Sequence, residues 1–422
     1  MSNTVQSTFS FIVMNIKVLH VGTKDTGGAA VAGIRLHRGL LQQGIESKFL
    51  FQEKKTTEIE ESYYWKPRGS SLKQQLIDKF TLHQTVQQKN SKRLRDIPKN
   101  YDMFSFPDSE ADITQSPLYQ EADVINLHWV PRFLDYASFF RNCKKPLVWT
   151  LHDMNPFSGG FHYQRDLVRN KGRIIHLDQQ IRIKKKEAFS QSKQLTLVAP
   201  SYWMYEKANN SELLSGFSIQ HIPYGLDTSI FKLHNQAFAR RVFNLPKDKK
   251  ILLFVSDVLS NERKGLDLLL EAISAIEDDS LWLCAVGNTK EENSSLRNVS
   301  YLGRVNDERL IALVYSACDA FVLPSREDNM PNVKLESIAC GVPVIAFPVG
   351  GIPDVIQSGN NGVLADEVSS ASLYNSIKRF LDSNYHFSRE EIRKDTIENY
   401  SFEVQAKRYI RLYNDIAENI PQ

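Results

Sequence analysis

Nothing in the 422 residues approaches the roughly 20 consecutive apolar positions that a bilayer-crossing helix needs, so no helical membrane span is expected. Cysteine is scarce. Cys143, Cys284, Cys318 and Cys340 lie far apart without a Cys-x-x-Cys pair, which argues against zinc or a redox dithiol and fits reduced thiols in a cytoplasmic chain. The charges nearly balance, at a net +3, too little to argue for nucleic acid as a partner. Two signatures are also missing. No Gly-x-Gly-x-x-Gly turn marks a dinucleotide site, and no Asp-x-Asp closes a predicted strand to hold a metal ion. The opening "MSNTVQSTFSFIVMNIKVLH" lacks the basic n-region and cleavage site of a secretory leader, and residues 1–13 read as an extension ahead of an alternative start at Met14.

What is present is a soluble α/β rhythm. Apolar content of 42% and charged content of 24% are ordinary for a globular chain, and the length exceeds what one core organises, so two domains are expected. Continuous apolar runs, the pattern of parallel strands buried on both faces, occur at "IKVLHVG", "SKFLF", "ADVINLHW", "PLVWTLHD", "LTLVAPS" and "IQHIPYG". The pattern restarts at "ILLFVSD" and continues through "LWLCAVG", "VSYLG", "AFVLPS", "PVIAFPV" and "GVLAD", with helices from Gly265, Asp307, Asn332 and Ser369. The expected architecture is two doubly wound sheets, residues 1–228 and 229–400, with the ligand between them beyond the carboxyl ends of the strands.

From Thr56 to Tyr119 no parallel strand is evident, and the basic, glutamine-rich stretch within it reads as a helical insertion with Leu72, Leu76 and Phe80 on one stripe. Its alternative role is docking on a membrane surface or an acceptor. The run at Lys184–Lys186 reads as a solvated helix face.

Four segments carry candidate chemistry. In "GTKDTGGAAVAG", Gly27 and Gly28 open a helix after the first strand, either to present amides to an anion or merely to shape the turn. "WTLHDMNPFSGGFHY" ends a strand at His152 and Asp153, where a ligand is reached, while Trp149 and Leu151 read as core; Gly159 and Gly160 allow close approach of the next loop. Arg263 and Lys264 precede a helix, where cations are disfavoured unless an anion is bound. In "SREDNMPNVKLESIACGVPV", Asn332 is the expected cap of a helix offering the amides of Val333 and Lys334 to a diphosphate. Glu336, a turn deeper, is placed to accept hydrogen bonds from a ribose diol, with Asp328 across the loop.

Together "RKGLDLLLEAI", "NVKLESIACGVPVIAFPVGGIPDVI" and "GGAAVAG" resemble the retaining glycosyltransferases of family 4, whose fold is GT-B, over a span from Ile16 to about Ile416. "LHWV", "WTLHDMNPFSGGFHY" and "EDNMPN" resemble more narrowly the branch of bacterial polysaccharide assembly that includes colanic-acid-type enzymes. The resemblance implies that Glu336 binds ribose and that Asp328, Asn329, Met330, Pro331 and Asn332 hold the donor sugar. It further implies that Lys264 binds the diphosphate, that His152 lies by the reacting carbon, and that the backbone at Arg304 and Val305 meets the base. There are departures: the first acidic position is Asp328 instead of Glu, Leu259 stands where many members carry an arginine, leaving Arg263 to substitute, and Phe161 replaces a cysteine. A closing helix from Ser401 to Ile420 would cross back to the first domain.

The resulting expectation is a cytoplasmic glycosyltransferase, peripheral to the membrane at most, moving a sugar from a nucleoside diphosphate sugar to a glycan or lipid-linked acceptor with retention. No cofactor and no metal are expected. The rivals are another GT-B enzyme, an epimerase or phosphorylase, and a non-catalytic sugar-nucleotide-binding subunit.

Overall fold

The computed structural model describes residues 16–56, 59–66, 84–95, 100–192, 194–288, 298–382 and 385–418. The first apolar runs form β1 (Lys17–Lys24), β2 (Glu46–Glu53), β3 (Ser62–Tyr64), β4 (Val124–Leu127), β5 (Leu147–Thr150), β6 (Leu195–Ala199) and β7 (Ser218–His221), in the spatial order β3-β2-β1-β4-β5-β6-β7. The second set forms β8 (Lys250–Val258), β9 (Leu281–Asn288), β10 (Val299–Gly303), β11 (Ala320–Leu323), β12 (Val344–Ala346) and β13 (Gly362–Leu364), in the order β10-β9-β8-β11-β12-β13. The recorded pairings are parallel in both sheets; β1, for example, aligns Val18 with Ser47 on one side and with Val124 on the other. In each sheet the chain reverses direction beside its first strand, β1 or β8, and a crevice opens at that switch.

The helices between and after the strands include α1 (Gly28–Gln42), α2 (Gln164–Phe189), α3 (Tyr202–Asn209), α4 (Leu266–Ser274), α5 (Glu308–Ala317), α6 (Asn332–Ala339) and α7 (Phe402–Glu418). The apolar stripe of α6 explains its seat, since Leu335, Ile338 and Ala339 are buried with Tyr315, Phe321 and Val344. Each such Leu or Ile contributes about 1.5–3 kcal/mol by leaving water. The closing helix α7 lies across the first domain, where Tyr409 Oη is 3.0 Å from Thr150 Oγ1 and Tyr413 Oη accepts from Asn126 Nδ2 at 2.8 Å. None of the described helices is long and apolar enough to cross a membrane.

The fold differs from the sequence reading in three places. A parallel edge strand, β3, lies within the stretch read as strandless, because its register on β2 is set by backbone pairing and its exposed Tyr63 and Tyr64 carry no buried run. Leu72, Leu76 and Phe80 lie outside the described residues; the described part of that segment is a capped helix at Val86–Arg93. Lys185 is not solvated but fully buried, its ammonium bonded to the carbonyls of Asn155, Ser158 and Gly159. The cap of α6 is Pro331, not Asn332, whose side chain turns instead to the other domain.

Candidate active site

Two helix N-termini meet across the crevice. Gly27, at φ 94°, precedes α1 in the first domain with nothing within 4 Å of where a Cβ would project. Asn332 opens α6 in the second domain and donates from Nδ2 to the Gly28 carbonyl at 2.9 Å. Neither helix has a side-chain N-cap, so amides at both ends lack the usual partner and converge where an anion gains from both dipoles. The Lys334 amide is the less available of those read from sequence, because it turns back to the Pro331 carbonyl at 3.3 Å.

Cations stand beside this gap. Asn261 accepts from the Arg263 amide and caps a single 3-10 turn that sets Arg263 and Lys264 before α4. Lys264 Nζ lies 2.6 Å from Asp328 Oδ2, and Arg263 donates from Nε to Asp102 at 2.8 Å while stacking on Tyr163 at 4.1 Å. Burial alone would push the Asp328 carboxyl up, but Lys264 and Arg263 outweigh it and hold the group below the usual carboxylate range. Leu259, where the resemblance leads one to look for an arginine, is a core residue at 4% exposure, so Arg263 and Lys264 are the cations this loop brings to the gap.

Glu336 sits a turn inside α6, largely buried, and both its oxygens already have protein partners. Arg35 of α1 donates from Nη2 to Oε1 at 2.8 Å, and Tyr315 donates to Oε2 at 3.1 Å. Arg35 also reaches Glu308 at 2.8 Å, and these two carboxylates outweigh its burial to raise its pKa. A carboxylate offers about four lone-pair sites, so Glu336 retains capacity for a diol. Arg35 had no signal in the sequence: it sits among apolar helix residues, and both its partners come from the other domain.

The loop read as holding the donor sugar divides by what its side chains touch. Asn329 is committed to the first domain, donating to the carbonyls of Leu151 and His152 at 3.0 and 3.1 Å and accepting from Ser201 at 2.6 Å. Met330 is core, 3% exposed, and the Lys334 ammonium is buried against the Gly351 carbonyl, where desolvation drives its pKa down to about 7. Asp328 and Asn332 thus remain the polar side chains of the loop nearest the cationic and glycine sides. Val333 packs at the margin of the second core. Arg304 is exposed and Val305 packs on that core in the turn between β10 and α5.

On the first domain His152 has both ring nitrogens engaged, Nε2 with His128 Nδ1 at 2.9 Å and Nδ1 with Tyr224 Oη at 2.6 Å. Burial lowers its pKa to about 4 against the opposing pull of Asp153, so the ring is neutral. Asp153 is an orienting group: it accepts from Trp129 Nε1 at 3.0 Å and the Asn155 amide at 2.9 Å, and pairs with His162 at 2.6 Å. His162 is fully buried and also meets Ser105. Gly159 and Gly160 do permit close approach, but of Asp178 and Phe104, since a Cβ at either would fall within 2.0 and 2.1 Å of those side chains.

The closed gap between domains is spanned by further pairs that sequence reading missed. The carboxylate of Glu327 accepts from the amides of Gln164 and Arg165 at the start of α2, at 2.8 and 2.9 Å, and Asp354 accepts from the Tyr202 amide at the start of α3 at 2.7 Å. Charge at a helix N-terminus stabilises both contacts.

With this geometry in view, the chain's likeness to known proteins is informative. Residues 235–400 match the family model described as glycosyl transferases group 1. The D-inositol 3-phosphate glycosyltransferase of Mycolicibacterium smegmatis is 29% identical over 170 residues, 37% of this chain and 38% of its own length. The protein of the same description from Xylanimonas cellulosilytica is 26% identical over 371 residues, covering 82% of this chain and 81% of the relative. Among solved structures, sucrose-phosphate synthase from Thermosynechococcus elongatus superposes with a TM-score of 0.68 at 17% identity, covering 96% of this chain and all (100%) of that one. Anabaena HepE in complex with UDP-glucose superposes with 0.62 at 15% identity, over 95% and 100%. The chain has the GT-B fold, and its residues 235–400 resemble the glycosyl transferases group 1 family.

Proposed function

We propose that the protein transfers a sugar from a nucleoside diphosphate sugar to a glycan or lipid-linked acceptor, with retention of configuration, in the assembly of a bacterial cell-surface polysaccharide. The observation that carries this reading is the convergence of two uncapped helix N-termini, at Gly27–Gly28 and Asn332, beside Lys264 and Arg263. Such a gap matches a diphosphate leaving group: fixed amides and cations stabilise the charge that develops as the glycosidic bond breaks. Glu336, a turn inside α6, is at the right depth for the ribose of the same ligand. The UDP-glucose bound by HepE makes a uridine diphosphate sugar the first donor to try.

In this mechanism the acceptor hydroxyl attacks from the face the diphosphate leaves, and a diphosphate oxygen takes its proton; no carboxylate stands as an evident covalent nucleophile. The protein supplies positioning and charge. No cofactor is required, and the cationic pair does the work a metal does elsewhere. The site of action is the cytoplasm, with peripheral contact to the inner face of the membrane where a lipid-linked acceptor is met. Incubation with a panel of radiolabelled sugar nucleotides tests the reading: consumption of one donor supports it, and binding without turnover supports a non-catalytic subunit.

A further inference from the structure

Three buried imidazoles and a phenol form one continuous hydrogen-bonded chain through the first domain. His20 Nδ1 is 2.8 Å from His128 Nε2, His128 Nδ1 is 2.9 Å from His152 Nε2, and His152 Nδ1 is 2.6 Å from Tyr224 Oη. The rings come from neighbouring strand positions: His20 lies on β1, and His128 and His152 follow the last residues of β4 and β5. Consecutive rings lie nearly parallel, at 31° for the first pair and 27° for the second. Gly33 inside α1 makes room for the middle ring, since a Cβ there would come within 3.0 Å of His128 Nδ1. A glycine in a helix interior costs about 1 kcal/mol against alanine, so that clearance has a cost the helix bears.

The hydrogen positions follow from one end of the chain. His20 is fully buried, and among the described residues its Nε2 has no partner. A buried N–H without an acceptor is rarer and costlier than a bare lone pair, so His20 carries its hydrogen on Nδ1 and donates to His128 Nε2. Each neutral imidazole has one N–H. His128 must then donate from Nδ1 to His152 Nε2, and His152 from Nδ1 to the Tyr224 oxygen. Every ring is thereby fixed in the same tautomer, and the hydroxyl hydrogen of Tyr224 is left over. Among the described residues His152 is the only hydrogen-bond partner of that hydroxyl. Asn329 of the 328–332 loop donates to the His152 carbonyl at 3.1 Å, which sets this end of the chain beside that loop. Around the chain, His37 faces His20 edge-on from α1, and Phe49 packs on His20 and His128 from β2.

We propose that His20 and His128 are positioning residues that hold His152 in its Nδ1–H tautomer, and that the chain ends in a Tyr224 O–H that donates to an oxygen of the transferred sugar. The second half rests on the function proposed above; the first does not. Long-range proton–nitrogen correlation spectra of the full-length, ¹⁵N-histidine-labelled protein, assigned with His20→Gln and His128→Gln, test the first half without ligand. All three rings are expected to carry hydrogen on Nδ1 with Nε2 unprotonated, and an Nε2–H at any of them overturns the assignment. Titration of wild type and Tyr224→Phe with UDP-glucose and with UDP tests the second. UDP-glucose binding should weaken by about tenfold, the order of one hydrogen bond, with UDP binding unchanged. No loss, or equal loss for both ligands, overturns the role of the hydroxyl. A wild type that binds neither contradicts the donor reading, while the tautomer assignment still stands or falls on the spectrum.

Discussion

Nη2 of Arg35 lies 2.8 Å from Oε1 of Glu336, joining the first helix of one domain to the helix of the other that carries the proposed ribose carboxylate. The contact crosses between the two domains, so the residue proposed to hold the nucleotide also helps to hold one domain against the other.

Glu336→Ala should weaken donor affinity by about 1.5–3 kcal/mol for each charge-assisted bond lost to the ribose. A glutamate that serves only its pair with Arg35 would cost about 3–5 kcal/mol of stability, as breaking a buried pair does, and leave affinity unchanged. Calorimetric titration with the nucleotide separates the two, and an unchanged affinity refutes the ribose role. Removing the partner instead, Arg35→Met, leaves Glu336 buried with one bond fewer and should lower the unfolding free energy by about 3–5 kcal/mol, as breaking a buried pair does.

Lys264→Ala should cost at least about 10²–10³ in turnover, the loss seen when one donor to a developing oxyanion is removed. Its present partner, Asp328 at 2.6 Å, shows that the ammonium is held in place before any ligand arrives. Because Lys264, Arg263 and two helix ends already offset the diphosphate charge, excess EDTA should leave turnover nearly intact. Activity abolished by EDTA and restored by Mn²⁺ would show that the cationic clamp is not the main source of leaving-group stabilisation.

Stability should fall as the solution is acidified from about pH 6.5 to pH 4. His152 is held neutral down to about 4 in the folded chain by burial, whereas unfolded histidine takes a proton near 6.5. Between those values the unfolded state binds more protons, so unfolding free energy rises with pH across the window and is lost on acidification. For His152 alone the swing is about 3 kcal/mol, and His20 and His128, also lowered by burial, act in the same direction. Asp328, held below the usual carboxylate range by Lys264 and Arg263, adds a loss only at lower pH, as it takes up its proton. Urea midpoints at pH 7, 6 and 5 check this, and His152→Gln should flatten the slope.

The strands were legible because burial on both faces writes itself as uninterrupted apolar runs, as in "ILLFVSD" and "AFVLPS". β3 was not, since a three-residue edge strand with half-exposed tyrosines is specified by its neighbour. Within the site, Gly27, Lys264, Asp328 and Glu336 stood out because each breaks a local pattern: a glycine pair at a helix start, a cation there, a carboxylate in an apolar stripe. Arg35, His20 and Tyr224 broke none. Their partners lie 301, 108 and 72 positions away in sequence, and only the packing of the two domains, for Arg35, and the sheet order, for the other two, bring them together. Membership of the loop did not show where Asn329 and Met330 direct their side chains, which face the other domain and the core.

The central claim is transfer from a nucleoside diphosphate sugar by front-face attack within this crevice. Proton NMR of the product formed from whichever donor the panel shows to be consumed tests it most directly, through the coupling of the new anomeric proton. The account predicts the same anomeric configuration in product as in donor. An inverted linkage contradicts it.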